Sequence, residues 1–171
     1  MQKVNPPQGK LRNVAFFLIA LLVVAADQLS KMWIRSYLPE GQLLPETGFF
    51  RLTHIHNTGG VFGLFQDQSF PLTIAAFIGV AVILVYALSI HRRFPWLDNM
   101  LSKSALGLML GGTIGNLIDR LHLGYVTDFI DVGIGVCRWP AFNIADSAVV
   151  VGVILFAYSL RPLIGTAHDN G

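Results

Sequence analysis

The chain has 171 residues, 53% of them hydrophobic and only 13% charged, where soluble domains carry roughly 25%. Its main solvent is therefore lipid. A formal net charge of +2 is too small and too dispersed for nucleic-acid binding, and the single cysteine, Cys137, excludes an intrachain disulfide and reads as a small buried apolar residue.

Residues 1–10, with Pro6-Pro7, read as a flexible arm. The first apolar run covers residues 14–26 and can continue as one helix through Met32-Trp33-Ile34. The basic start and Val24-Ala25-Ala26 before Asp27 also suit a signal peptide cleaved at that point. Pro39-Glu40-Gly41 marks a turn, and residues 49–55 then read as extended. Phe49, Arg51, Thr53 and Ile55 share one face of that strand; Phe50, Leu52 and His54 share the other. His54 and His56 form a His-x-His pair, but no third ligand stands at ligand spacing, so no metal site is expected. Asn57-Thr58-Gly59-Gly60 breaks the strand, and residues 61–65, aromatic and uncharged, suit a segment lying in the interface plane.

The second apolar run, residues 70–90, is the only one that reaches by itself the ~20 residues needed to cross a hydrocarbon core of ~30 Å. The third, residues 104–118, carries Gly107, Gly111 and Gly115 on one face, where a neighbouring helix can approach closely. Residues 125–136 are a second extended run able to pair with the first, residues 148–160 are the fourth apolar run, and residues 167–171 are a frayed tail. The expectation is one membrane-embedded domain over residues 1–171, an α-helical polytopic protein with four transmembrane helices.

Lys3, Lys10 and Arg12 precede the first helix, Arg92, Arg93 and Lys103 lie between the second and third, and Arg161 follows the fourth. By the positive-inside rule these positions are cytoplasmic, as are both termini. The two long loops, residues 28–69 and 121–143, then face outward.

The polar residues at helix ends all gather on that outward side. Asp27 and Lys31 close the first helix, Asn116, Asp119 and Arg120 close the third, and Asn143, Asp146 and Ser147 open the fourth; Asp128 hangs in the loop between. Ionisable residues at membrane depth are costly and face a bundle interior or a wet cavity. Each has a plainer use. Asp27 and Lys31 suit an i, i+4 surface pair, Arg120 and Lys31 can snorkel to headgroups, Asn143 or Asp146 can cap a helix, and Asp131 reads as an ordinary loop carboxylate. If Asp128 and Asp146 meet in a poorly hydrated site, they share one proton and titrate as a unit. Such a pair can activate water against a peptide carbonyl. A Ser/Lys membrane peptidase using Ser147 or Ser30 with Lys31, and a transporter or channel subunit with proton-relay aspartates, remain open at this point.

Five segments carry a resemblance: Asp27-Gln28-Leu29-Ser30-Lys31, Asn57-Thr58-Gly59, Gly115-Asn116-Leu117-Ile118-Asp119-Arg120, Val126-Thr127-Asp128-Phe129-Ile130 and Phe142-Asn143-Ile144-Ala145-Asp146-Ser147. In this order they resemble the bacterial lipoprotein signal peptidases (signal peptidase II), an inner-membrane aspartyl protease family; Gly60 departs from the family's usual Ala. The resemblance implies Asp128 and Asp146 as the catalytic dyad. It also implies Asn57, Asn116, Arg120 and Asn143 as site-lining residues, with Asp27, Lys31 and Asp119 in support. It implies four transmembrane helices with an extracytoplasmic β-cradle and a short interfacial helix. The implied substrate is a diacylglyceryl-modified prolipoprotein, cut before its lipidated cysteine near the outer leaflet. No cofactor is implied, nor any partner beyond substrate and membrane lipid, and the expected state is monomeric.

Overall fold

The computed structural model describes residues 6–59, 69–89 and 98–161. Four helices carry a small sheet at one end. Helix α1 is Pro6–Tyr37, α2 Ser69–Ser89, α3 Met100–Leu123 and α4 Ile144–Ser159; the strands are β1 Leu43–Leu44, β2 Phe50–Asn57, β3 Val126–Ile134 and β4 Cys137–Arg138. The segment Gly9–Tyr37 of α1 and the whole of α2 are long and apolar enough to cross a membrane, and α4 is a shorter apolar helix. So the second apolar run is not alone in its reach: α1 extends past Asp27 and Lys31 because those two side chains turn inward and neutralise each other. The arm expected over residues 1–10 gives way at Pro6, where α1 begins. Proline fits there, since the first helical N–H groups have no intrahelical acceptor to lose.

The bundle is small-residue packed. A Cβ on Gly107 would stand 2.7 Å from Phe16 O, and one on Gly111 2.7 Å from Ala20 O, so only hydrogen at these positions lets α3 lie directly on the α1 backbone. Gly115 continues the seam to Asp27, whose Oδ2 would be 2.6 Å from an added Cβ. Phe16, Ala20, Ile83, Ala87, Leu106 and Leu110 form the buried core. Leu18, Leu21, Leu22, Phe77, Val82, Val150 and Ile154 remain exposed, which in water would be a large unfavourable apolar surface and in lipid is ordinary.

At the end remote from the sheet, Arg12 pairs with Asp98 at 2.8 Å. Lys103, almost fully buried, donates to Asn13 Oδ1 at 2.8 Å and to Ala87 O. Arg12 and Lys103, two of the basic residues read as marking the cytoplasmic side, are thus tied into the bundle.

The two extended runs do pair. The sheet order is β1-β2-β3-β4, antiparallel throughout. The register of β2 on β3 shifts by one residue between Leu52 and Ile55. A one-residue shift moves every later side chain to the other face. Beyond it Asn57 stands opposite Val126 and on the same face as Asp128. Asp128 therefore lies on β3 rather than in a loop. Cys137, expected buried, is exposed on β4, because it follows the Gly135–Val136 turn at the sheet's tip, where nothing packs over it. The interface segment at residues 61–65 and Gly60 lie outside the described residues, as do Arg92, Arg93 and residues 167–171.

Candidate active site

Asp128 reaches inward from β3 and Asp146 from the first turn of α4. The local reason for Asp146 is a capping box. Asn143, in extended backbone, accepts from Asp146 N through Oδ1 at 2.9 Å, and Asp146 Oδ2 accepts from Asn143 N at 3.2 Å. This satisfies two orphan donors of the helix and fixes the carboxylate at the entrance of α4. Capping and a place in the site are therefore the same geometry.

Asparagines hold both carboxylates. Asn57 Nδ2 donates to Asp128 Oδ2 at 2.7 Å, Asn143 Nδ2 to Asp128 Oδ1 at 2.7 Å, and Asn116 Nδ2 to Asp146 Oδ1 at 2.7 Å. Asn143, fully buried, thus reaches both carboxylates, Asp128 through its side-chain amide and Asp146 through its backbone N–H. The orientation of Asn116 follows from its other end. Its Oδ1 accepts from Lys31 Nζ at 2.9 Å and from Asn143 Nδ2 at 3.2 Å, which leaves its NH₂ for Asp146. Burial, and next the negative charge of Asp146, push Asp128 up to about 7, against the pull of the Asn57 and Asn143 hydrogen bonds and the positive charge of Lys31.

Beneath these groups lies a buried charge network. Lys31 sits 2.8 Å from Asp27 and 3.3 Å from Asp119, with all three side chains essentially inaccessible. It is neither a surface pair nor a snorkelling lysine. Asp27 Oδ1 accepts from Ala145 N at 3.0 Å, linking α1 to the start of α4, and Asp119 Oδ2 accepts from Thr127 N at 2.9 Å, fixing β3 one residue before Asp128. Gln28 Nε2 bridges Asp27, Asp119 and Gly115 O. Arg35 stands 3.6 Å from Asp119 and donates to Thr127 Oγ1 at 3.0 Å.

Gln28, Arg35 and Thr127 were not singled out from sequence. Gln28 and Thr127 stand inside segments quoted for the resemblance, which was the available signal; Arg35 lies one helical turn beyond Lys31, on the same face.

Arg120 does not snorkel. Its guanidinium donates to Gly59 O at 3.4 Å and feels the charges of Asp146 and Asp128. A cavity of about 700 Å³ is lined by both aspartates, Asn57, Asn116 and Arg120, with an apolar wall from Leu72, Ala76, Val149 and Val150. Asp27, Lys31, Asp119 and Asn143 are not on its wall but directly behind it. Ser147 also lines it, yet its hydroxyl donates to Asn143 O, that of Ser30 donates to Asp27 O, and Lys31 is committed to Asp27, Asp119 and Asn116. The Ser/Lys arrangement does not form.

Asp131 is no ordinary loop carboxylate. Arg51 reaches its Oδ2 at 2.5 Å and Arg138 its Oδ1 at 2.6 Å, tying β2, β3 and β4. Desolvation acts to raise its pKa, but the hydrogen bonds from Arg138 and Arg51 prevail and hold it below the usual carboxylate value. Of the histidines, His54 Nδ1 is bonded to Leu38 O at 2.8 Å, and His56 stacks on Tyr125.

The sequence profile of the family described as Signal peptidase (SPase) II matches residues 19–161. The lipoprotein signal peptidase of Dehalococcoides mccartyi is 46% identical over 160 residues, covering 94% of this chain and 95% of that one. That of Moorella thermoacetica is 45% identical over 146 residues, covering 85% and 91%. A solved structure described as a bacterial membrane enzyme, determined by the in meso method at 2.3 Å resolution, superposes with a TM-score of 0.76. It has 29% identity and covers 91% of each chain. Another, at 1.9 Å, gives a TM-score of 0.73 at 31% identity, covering 85% of this chain and 91% of that one.

Proposed function

Because the chain belongs to the signal peptidase II family, we propose that Asp128 and Asp146 are the catalytic dyad of this intramembrane aspartic peptidase, which acts on lipoprotein signal sequences. The observation that carries the assignment is Asn143, which donates to both carboxylates, from its side-chain amide to Asp128 and from its backbone N–H to Asp146, with both acids on the wall of a single cavity. With one proton between them, the ionised carboxylate takes a proton from the attacking water while the other donates to the peptide carbonyl oxygen. A C–O bond forms, and the resulting intermediate collapses with the amide nitrogen leaving protonated. Arg120 supplies the fixed positive charge beside the developing oxyanion. Asn57, Asn116 and Asn143 orient the acids, Lys31 holds Asn116, and Asp27 and Asp119 hold the start of α4 and strand β3 in place.

The substrate we infer is a prolipoprotein whose cysteine carries diacylglycerol, cut just before that cysteine. Support comes from the cavity, which joins a carboxylate pair to the apolar wall formed by α2 and α4. All four helices cross the membrane in this reading, with both termini cytoplasmic and the dyad near the outer leaflet. The outer turns of α3 and α4 are polar because they wall the wet site. The membrane interface then lies at the level of the sheet, beside Trp33 and Tyr37.

The test is processing of a diacylglyceryl-prolipoprotein by purified protein carrying Asp128→Asn or Asp146→Asn. Both variants should lose essentially all cleavage while keeping the wild-type melting temperature to within a few degrees. Retained cleavage in either would remove that residue from the dyad. Ion flux in liposomes without any cleavage would favour the proton-relay reading.

A further inference from the structure

Between β4 and α4 the chain runs beside β3 as a short ribbon. Trp139 N donates to Val132 O at 2.8 Å, Phe142 N to Ile130 O at 3.0 Å and Ile130 N to Phe142 O at 2.8 Å. Because Phe142 exchanges both bonds with Ile130, the N–H and C=O of Ala141 point the other way, off the free side of the ribbon. No hydrogen bond of the described residues engages either group. Ala141 nevertheless lines the cavity with Pro140, Phe142 and the two aspartates. An unpaired edge with one donor and one acceptor is thus open toward the site. Pro140, which has no N–H, restricts the pairing to this residue.

We propose that the substrate's peptide chain binds in extended form as a further strand on this edge, with the backbone N–H and C=O of Ala141 bonded to one substrate residue beside the scissile bond. The proposal rests on the peptidase reading above and deepens it. At about 3.3 Å per residue, Ala141 lies two residues before Asn143, which donates to both carboxylates. The bonded substrate residue is therefore within about two or three positions of the cleaved bond. Main-chain pairing reads no side chains, so it holds signal peptides of differing sequence in one register against the dyad.

Ala141→Pro removes the N–H without adding a charge and should lower kcat/KM for a diacylglyceryl-prolipoprotein at least tenfold. Ala141→Gly and Ala141→Ser, which keep the backbone groups, should stay within about threefold of wild type. A second measurement needs no protein variant: wild-type enzyme is given substrates N-methylated at one amide at a time. One amide within three residues of the scissile bond should cost at least tenfold, and its immediate neighbours much less. A folded Ala141→Pro protein with wild-type kcat/KM, or an N-methyl scan flat outside the scissile amide, overturns the proposal. Wild-type protein that cleaves no substrate at all overturns the peptidase reading instead.

Discussion

Replacing Lys31 with methionine tests the buried network at its centre. Methionine keeps the length and roughly the volume, so packing changes little. What is lost is an ammonium 2.8 Å from Asp27 and 3.3 Å from Asp119. Asp27 then keeps only the Gln28 and Ala145 donors, and a buried charge stripped of its partner costs about 3–5 kcal/mol. At about 2–4 °C per kcal/mol for a chain of this size, Lys31→Met should melt roughly 6–20 °C below wild type, read by tryptophan fluorescence in one detergent. Adding Asp27→Asn removes one stranded carboxylate while keeping an acceptor for Ala145 N, and should restore at least half of the loss. Activity should not return with it. Asn116 Oδ1 would retain only the Asn143 donor, its amide could turn, and its bond to Asp146 would weaken, so kcat should stay about tenfold down. Melting within 2 °C of wild type, or a double-mutant cycle showing Lys31 and Asp27 to be additive, would refute the reasoning.

Two further outcomes follow from the same geometry. A dyad that works with one proton loses activity when the second leaves, so kcat/KM should fall as pH rises through about 7, where Asp128 titrates. Asn57 holds Asp128 toward its ionised form, so Asn57→Leu raises that pKa and should move the alkaline limb to higher pH; a pH-rate profile with a fixed or lowered limb contradicts this. In the α1–α3 seam, a Cβ at position 111 would stand 2.7 Å from both Ala20 O and Val23 Cβ. Gly111→Ala should therefore cost about 1–3 kcal/mol by thermal unfolding, whereas Gly9→Ala, with nothing within 4 Å, should be neutral.

What the sequence made legible was set by period and by type. Apolar runs located the helices, and the Gly107/Gly111/Gly115 spacing located the seam, because both report on local geometry. The polar cluster was visible because carboxylates and amides are rare in such a chain. Register was not visible. That Asn57 shares a face with Asp128 depends on a one-residue shift in β2, which alternation read from Phe49 cannot reveal. Nor could spacing tell that Lys31 turns inward, since the same i, i+4 pair with Asp27 suits a solvated helix surface. Asp131 was misread for a similar reason. Its partners Arg51 and Arg138 come from two other strands, and long-range pairing leaves no local trace.

The network also gives an electrostatic reason for placing acids beside lipid. Behind the cavity wall the carboxylates of Asp27 and Asp119 face the cations Lys31 and Arg35, so that layer is balanced. On the wall, Arg120 faces the pair Asp128 and Asp146. One proton on the pair leaves a single negative charge against a single positive one, and the second layer is balanced too. Losing that proton would leave an unmatched charge where each desolvated ion costs several kcal/mol. The singly protonated pair is thus the form that the surrounding charges favour, and it is also the form that the proposed chemistry requires. In the proposed mechanism the supporting residues then do more than position the site: they set the resting charge that its chemistry requires.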